Sequence, residues 1–282
     1  MRVAVVQFAP VLGRIEPNLE VILSAAREAS SAGAELIVAP EMSLTGWTLR
    51  DTGDRRSLAR GVEETALPEL SREAVERSIA IVVGGPVGVD DGPPQTDDER
   101  AISNAAILLG PDGSRTVYRK IHLFGEERGW WAAGRDPVVG MTGGTRVGLT
   151  ICYDGEFPEV PRMTRLAGAD MIAIPATNMT PYEHDHDVIF AARAIENDCP
   201  VIVANRVGRE NDWTYFGRSL VLDQRGRTIA QAGAGDELLF GEIEPGEPGD
   251  PALSYLAHRR PDTYRLLVDE SPLSTPPAMV AT

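Results

Sequence analysis

The 282-residue sequence contains few cysteines, a minority of basic residues and no long apolar run. Its two cysteines, Cys152 and Cys199, cannot build a disulfide framework, which favours a reducing compartment, the cytoplasm. No stretch approaches the ~18 apolar residues of a membrane span, and no signal-peptide pattern precedes the first strand pattern. The formal net charge of −15 argues against nucleic acid or an anionic membrane as a partner.

Hydrophobic residues make up 43% of the sequence, enough for a large core. Strand patterns alternate with helical patterns from Val3–Phe8 to Leu238–Ile243, which predicts one layered α/β domain over residues 1–245. The Pro-rich residues 246–282 are predicted to form a C-terminal extension that packs on a partner subunit or is partly mobile. The acidic, Gly- and Pro-rich segment Asp90–Glu99 predicts a surface loop.

The pattern of apolar residues also predicts individual elements. A first helix is predicted from Pro17 to Gly33, and the turn sequences PDGS and DQRG predict two hairpins. Further helices are predicted at Leu67–Ser78, Pro158–Ala167 and His186–Glu196. The other predicted strands are Glu35–Ala39, Ile79–Gly84, Ile102–Leu109, Thr116–Lys120, Val147–Cys152, Met171–Pro175, Pro200–Ala204, Leu220–Leu222 and Thr228–Ala230.

Three segments share an unusual form, in which an apolar strand stops at a reactive side chain. They are LIVAPE ending in Glu41, TVYRKIHLFG carrying Lys120, and GLTICYDGEFPE carrying Cys152. Each residue alone has an ordinary interpretation: an exposed glutamate, a solvated lysine at a strand end and a small buried hydrophobe. The occurrence of all three residues in this order, each in its own local context, indicates a catalytic site rather than residues that only pack in the core.

With these segments in place, the chain resembles the nitrilase (carbon–nitrogen hydrolase) superfamily. The resemblance extends over nearly the whole sequence, from VAVVQFAP through ARAIEN and VANRVG to YLAHRRPDTYR. It implies an αββα sandwich, with two sheets flanked by helices, that pairs into a homodimer and needs neither metal nor cofactor. It also implies that Glu41 is the general base, Lys120 the cation that stabilises the oxyanion, and Cys152 the nucleophile.

A second site glutamate follows from the same resemblance. Some members carry it in a pattern like E-R-x-x-aromatic-x-x-Gly, which here begins at Glu127 and places Trp131 at the aromatic position near the substrate. A one-residue slip in the alignment would exchange Glu127 for Glu126.

These residue types suit amide hydrolysis. A neighbouring ammonium is expected to lower the pKa of the thiol toward thiolate. A carboxylate can take the thiol proton and pass it to the departing ammonia. Lys120 and the backbone N–H of Tyr153 can then hold the tetrahedral oxyanion.

The residues after the cysteine bear on the substrate. True nitrilases resemble a CWE-type segment, from which Tyr153-Asp154 departs, and relatives that act on acidic or carbamoyl substrates often have Arg near the position of Glu156. A carboxylate facing the pocket would favour a neutral or cationic amide. The alternative is that Glu156 pairs with an arginine behind the site, such as Arg162.

The sequence therefore predicts a cysteine-dependent amidase that converts a small aliphatic amide, possibly an amino-amide, to a carboxylic acid and ammonia through a thioester. A nitrilase, an N-carbamoyl-amine hydrolase and a catalytically silent binding homologue are the alternatives.

The sequence also offers two further candidates for the pocket, as well as a histidine pair and a second cysteine. Asn178 ends the strand after the nucleophile's helix and is expected to line the pocket, with Tyr182 as a weaker candidate. The HDHD sequence at 184–187 invites a metal interpretation, but His184 and His186 do not share a helical face, so a helix start with an Asp cap explains them better. Cys199 is expected to be buried core.

Overall fold

The computed structural model describes residues 1–49, 52–89, 101–246, 252 and 254–268. The predicted loop Asp90–Glu99 lies outside these residues, as do 247–251, 253 and 269–282 of the predicted extension. The helices are α1 (Ile15–Ser31), α2 (Thr52–Gly61), α3 (Leu67–Arg77), α4 (Tyr153–Glu156), α5 (Glu159–Leu166) and α6 (Glu183–Asn197). The strands are β1 (Arg2–Gln7), β2 (Leu36–Val38), β3 (Ala80–Gly88), β4 (Ile102–Leu109), β5 (Arg115–Arg119), β6 (Val138–Thr142), β7 (Thr145–Leu149), β8 (Met171–Pro175), β9 (Val201–Ala204), β10 (Val207–Glu210), β11 (Trp213–Phe216), β12 (Leu220–Leu222), β13 (Thr228–Gln231) and β14 (Glu237–Glu242).

Two six-stranded sheets form the centre of the molecule. The first has the order β14-β1-β2-β3-β4-β5 and the second the order β13-β12-β9-β8-β7-β6, while β10 and β11 form a separate hairpin. Strands β1, β2 and β3 are parallel to one another, as are β7, β8 and β9. Parallel strands deliver the residues that follow them to one edge of a sheet.

Alternation along β1 shows why the sheets stack. Val3 and Val5 pack in the core between the two sheets, together with residues such as Ile202. Ala4 and Val6 point the other way, into the core that α1 and α3 cover. Helices α5 and α6 cover the outer face of the second sheet. The predicted αββα sandwich is therefore confirmed.

Most predicted strands and both predicted hairpins are present, but the segment around Cys152 differs. The predicted strand runs to Cys152, whereas β7 ends at Leu149. The backbone N–H of Cys152 still donates to Pro175 O at 2.9 Å, but a φ of 42° at Cys152 turns the chain into α4.

The start of α6 also differs from the prediction. The helix begins at Glu183, its N-cap is Tyr182 without a side-chain hydrogen bond, and Asp185 lies inside the first turn. The predicted Asp cap is therefore wrong. Instead, the Thr180 hydroxyl donates to Glu183 Oε1 at 2.7 Å across the first turn.

Candidate active site

The three predicted reactive side chains meet between the two sheets. Glu41 follows β2 and Lys120 follows β5, both in the first sheet. Cys152 follows β7 in the second sheet. The buried side chains of Lys120 and Glu41 form an ion pair of 2.7 Å, and Cys152 lines the same cavity as Lys120. The site is thus assembled from strand ends of both sheets.

A second carboxylate completes the charge cluster on Lys120. Lys120 Nζ donates to Glu41 Oε1 at 2.7 Å and to Glu127 Oε2 at 2.8 Å. Asn104 Nδ2 bridges the two acids, 2.7 Å from Glu41 Oε1 and 2.9 Å from Glu127 Oε1. None of the four residues is more than 1% exposed. Burying two carboxylates at this depth is affordable because each is paired with the ammonium and hydrogen-bonded.

The structure distinguishes Glu127 from Glu126. The two residues lie in a single 3₁₀ turn, Gly125–Gly129, in which Glu126 is exposed and Glu127 fully buried. Besides Lys120, Glu127 accepts hydrogen bonds from the backbone N–H of Phe124 at 2.8 Å and from Trp47 Nε1 at 2.9 Å. Glu127 is therefore the glutamate that belongs to the cluster.

Cys152 occupies a strained backbone position at the turn from strand to helix. A φ of 42° is costly for a residue with a side chain and persists only where surrounding contacts hold it. The thiol donates to Asn178 Oδ1 at 3.3 Å, and its sulfur lies 3.9 Å from Thr177 Oγ1. The turn places the sulfur at the cavity wall while its residue stays 7% exposed.

Asp154 ties the cysteine turn to the segment that carries Lys120. This fully buried carboxylate accepts the Tyr118 hydroxyl at 2.6 Å. It also accepts the backbone N–H groups of Ile121 at 3.2 Å and His122 at 2.7 Å. Because Lys120 lies between these donors, Asp154 fixes the position of the lysine relative to the nucleophile.

Arg193 of α6 stabilises the short helix α4, which follows Cys152. Its Nε donates to Gly155 O at 2.8 Å and its Nη2 to Glu156 O at 2.7 Å. These carbonyls belong to α4, whose C-terminal groups would otherwise lack partners.

The electrostatics of the cluster set the resting protonation states. Burial alone would lower the pKa of Lys120, but Glu127 and Glu41 outweigh it and hold that pKa well above its ordinary value, so the lysine stays charged. Burial raises the pKa of Glu41, and Lys120 only partly offsets this. A carboxylate with a raised pKa is a stronger base than one in water.

The expected lowering of the thiol pKa is wrong for the resting site. Burial raises the pKa of Cys152 well above its ordinary value, the Glu41 charge raises it further, and Lys120 compensates only in part. The thiol is therefore protonated at rest, so its attack requires a base.

A cavity of about 220 Å³ opens onto Cys152. The predicted substrate-binding residues Tyr153, Glu156 and Asn178 line it, and so does the weaker candidate Tyr182. The sequence reasoning missed five further lining residues, which come from four separate parts of the chain: Trp47, Phe124, Thr177, Met179 and Asp185.

Trp131, predicted to contact substrate, does not line this cavity. Its ring is 4% exposed and packs in a cluster with Met42 and Ile102, with the Arg55 guanidinium 5.8 Å from the ring centroid. The backbone N–H of Trp131 donates to Glu127 O at 3.0 Å, which places the ring behind the glutamate turn. The aromatic side chains that reach the cavity from this region are Trp47 and Phe124.

Trp47 is itself anchored from the β10–β11 hairpin, which the sequence analysis did not predict. Glu210 accepts the backbone N–H of Trp47 at 3.0 Å and that of Thr48 at 2.6 Å. Arg206, fully buried, donates to Glu210 Oε2 at 2.6 Å and lies over the Tyr215 ring at 4.2 Å.

The remaining predicted features lie apart from the site chemistry. His186 is buried with Nε2 3.0 Å from Arg218 O, and burial lowers its pKa to about 4, while His184 is exposed. Within the described residues, no group of His, Cys, Asp and Glu side chains could hold a metal ion. Cys199 is buried, as expected, which raises its pKa to about 12. No helix within the residues that the structure describes is long and apolar enough to cross a membrane.

Comparisons with known proteins identify the family of this chain. Residues 2–249 match the carbon-nitrogen hydrolase family model. A Pseudomonas protegens protein described as "Hydrolase in pqqF 5'region" is 37% identical over 272 residues, 94% of this chain and 90% of that one. An (R)-stereoselective amidase from Pseudomonas sp is 33% identical over 235 residues, 83% of this chain and 81% of that one.

A solved structure is also similar. It is a mutant of the amidase from Nesterenkonia sp. AN1 in which the acetamide moiety of fluoroacetamide is covalently added at the active-site cysteine. Its TM-score is 0.80 at 28% identity, covering 94% of this chain and 96% of that one.

This chain belongs to the carbon–nitrogen hydrolase family. The predicted class, a cysteine-dependent amidohydrolase in the amidase branch of the nitrilase superfamily, is confirmed.

Proposed function

We propose that this protein hydrolyses a small aliphatic amide to a carboxylic acid and ammonia, with Cys152 as nucleophile and Glu41 as general base. The observation that carries the proposal is the buried cluster in which Lys120 pairs with Glu41 and Glu127 beside the Cys152 cavity. The 220 Å³ cavity suits a short acyl chain, because drug-sized ligands occupy pockets of about 300–1,000 Å³.

In acylation, Glu41 accepts the thiol proton while the sulfur attacks the amide carbonyl carbon. The oxyanion forms beside Lys120, whose positive charge is held by both carboxylates, and beside the backbone N–H of Tyr153, which as the first residue of α4 has no intrahelical acceptor. Protonated Glu41 then gives its proton to the leaving nitrogen, and ammonia departs from the thioester.

In deacylation, Glu41 again acts as a base and takes a proton from water. The hydroxide equivalent attacks the thioester carbonyl, the same oxyanion contacts hold the intermediate, and the sulfur leaves with the proton. Glu127 balances the lysine charge through both half-reactions without touching the thiol. The cycle restores the protonated thiol with which it began.

The acyl chain of the preferred substrate carries a positive charge. Glu156 is half-buried at the cavity, and burial raises its pKa. Within the described residues it has no ion-pair partner: Arg162 lines a separate surface groove, and Arg193 contacts its backbone rather than its carboxylate. Asp185 lines the same cavity from the first turn of α6. Two carboxylates and the Tyr182 ring thus form a mouth that suits an ammonium group.

An ammonia-release screen tests the proposal across butyramide, short amino-amides, N-carbamoyl amines and nitriles. We expect amides to be turned over and amino-amides to have the highest kcat/KM. Cys152→Ala is expected to abolish turnover and covalent adducts, whereas ammonia release that survives it contradicts the mechanism. Preferred turnover of nitriles or carbamoyl amines would favour those alternatives, and an inert Cys152 in thiol alkylation would favour a silent homologue.

Glu156→Gln tests the charge preference. We expect kcat/KM for amino-amides to fall about tenfold, consistent with the loss of one charge-assisted contact, while butyramide changes less than threefold. Equal losses on the charged and the neutral substrate would contradict the charge pairing.

We also propose that residues 1–245 act as one catalytic domain in a cytoplasmic homodimer. Helices α5 and α6 leave apolar side chains on their outer faces, with Leu166 and Val188 each 52% exposed, and a second copy would cover them. The extension from residue 246 onward is proposed to pack against that copy. Light scattering is expected to give the mass of a dimer, and a monomer at micromolar concentration would contradict this.

A further inference from the structure

Thr177 contacts both the nucleophile and the base. It follows β8, is 1% exposed and lines the cavity. Its Oγ1 lies 3.9 Å from Cys152 Sγ, and its hydroxyl donates to Glu41 Oε2. Burial raises the pKa of the Cys152 thiol, and a hydrogen bond from the Thr177 backbone opposes that rise. Thr177 is thus placed between the sulfur and the carboxylate that must exchange a proton.

The two oxygens of Glu41 are differently occupied. Oε1 accepts from Lys120 Nζ and from Asn104 Nδ2, each at 2.7 Å. Oε2 accepts the hydroxyl of Thr177. A proton arriving at Glu41 therefore goes to Oε2, because Oε1 already holds two short hydrogen bonds, one of them from a charged donor.

Among the described residues, two side chains are hydrogen-bond partners of the sulfur. Asn178 Oδ1 accepts from the thiol at 3.3 Å but is an amide oxygen and a poor base. The other is the Thr177 hydroxyl, which is also bonded to Glu41.

We propose that the Thr177 hydroxyl relays the proton between Cys152 and Glu41, an inference that rests on the amidase function proposed above. The S–H bond breaks and its proton passes to Thr177 Oγ1, while the Oγ1–H proton passes to Glu41 Oε2. Thr177 is unchanged, Glu41 becomes neutral, and the sulfur's electron pair forms the bond to the substrate carbonyl carbon. In the second step the proton on Glu41 Oε2 returns to Thr177 Oγ1 while the Oγ1–H proton passes to the leaving nitrogen, so that ammonia departs, Glu41 is ionised again and Thr177 is unchanged.

The test isolates the first half of this cycle with p-nitrophenyl acetate, whose leaving group departs without a proton. With enzyme in excess, a single turnover releases p-nitrophenolate at the rate of acylation, and Cys152→Ala supplies the background. Thr177→Val keeps the shape but removes the hydroxyl, and we expect a fall of about 10- to 100-fold in this rate, part of the 10²–10⁴ that acid–base catalysis supplies. The control Thr177→Ser keeps the hydroxyl and is expected within threefold of the wild-type rate.

A proton inventory in mixtures of H₂O and D₂O separates a relay from a merely structural hydrogen bond. A plot of the wild-type acylation rate against the deuterium fraction of the solvent is expected to be curved, because two protons move in the same step. A single moving proton would give a straight line. A linear wild-type inventory overturns the relay, as does a Thr177→Val rate within threefold of wild type or a Thr177→Ser rate as low as that of Thr177→Val.

The wild-type inventory requires no variant to fold. If the ester acylates the enzyme with a curved inventory but no amide is hydrolysed, the proposed amide substrate is wrong and the relay stands.

Discussion

The floor and the mouth of the cavity differ in burial and in how their charged side chains are paired. The floor, Glu41, Asn104, Lys120 and Glu127, is at most 1% exposed and joined by hydrogen bonds of 2.7–2.9 Å. The mouth, Glu156, Tyr182 and Asp185, is half-buried to exposed. There the Glu156 carboxylate accepts a contact of 3.5 Å from Asn178.

This difference in burial and pairing matches the roles proposed for the two regions, catalysis for the floor and substrate selection for the mouth. Charges in a dry site must be paired in advance, and this same pairing means that they need no rearrangement when the oxyanion forms. The mouth carboxylates can pair with a cationic substrate. Because they contact solvent, each such pair contributes only a small binding free energy. Substitutions in the floor are therefore expected to change kcat and stability together, and those in the mouth to change substrate preference.

The largest effect is expected from Glu127→Gln, which keeps the size of the side chain but removes one counter-charge of buried Lys120. We expect kcat to fall about 10²- to 10³-fold, as when one electrostatic contact to the transition state is lost. Breaking a buried ion network should also lower the free energy of unfolding by about 3 kcal/mol. Steady-state kinetics and urea unfolding measure the two.

Glu126→Gln is the matched control, one residue away on the exposed side of the same 3₁₀ turn. It is expected to change stability by less than about 0.5 kcal/mol and kcat by less than twofold. If the two variants lose activity equally, the floor is not the special region that the geometry indicates.

An intermediate effect concerns pH. Glu41 must be ionised to accept a proton, and burial raises its pKa above the ordinary value of 4.5. With butyramide as a neutral substrate, kcat/KM is therefore expected to be lost as pH falls through a midpoint above 4.5, since below that pKa the base is protonated. An acid limb at or below this value would contradict the desolvated base. Because burial also raises the pKa of Glu156, the limb must persist in Glu156→Gln.

The smallest effect is expected from Asp185→Asn at the exposed rim. Losing an exposed charge pairing should reduce kcat/KM for amino-amides about two- to fivefold at low salt, and less at high salt. Glu183→Gln in the same helical turn changes the net charge equally, but Glu183 does not line the cavity. An effect of Asp185→Asn that salt does not screen, or that Glu183→Gln reproduces, would contradict a role in the mouth.

The floor was largely predictable because its reactive residues lie in local motifs. Glu41 and Lys120, like Cys152 beside the floor, each end a recognisable strand pattern, and Glu127 follows Lys120 at short distance. Asn104 was not predictable, because a buried asparagine inside a strand carries no local sign that it will bridge two distant acids.

The aromatic contact and the thiol pKa failed for a related reason. Trp131 fits its sequence pattern, yet Trp47 reaches both Glu127 and the cavity because Glu210 of a distant hairpin holds its loop. The prediction for the thiol weighed the attraction of Lys120 without the depth of burial, which decides the sign. Burial is a property of the packed molecule and not of a motif.

Because Glu41 and Lys120 follow strands of one sheet while Cys152 and Thr177 follow strands of the other, neither layer alone holds all of the proposed catalytic residues. Under the proposed mechanism, Cys152 has no base beside it until the two sheets have packed together, so the reactivity of its thiol would depend on completed folding. Side chains such as Val82 and Ala173, buried in the core between the layers, set the spacing across which the proposed relay would pass the proton. The turnover rate is therefore expected to report how closely the two sheets are packed against each other.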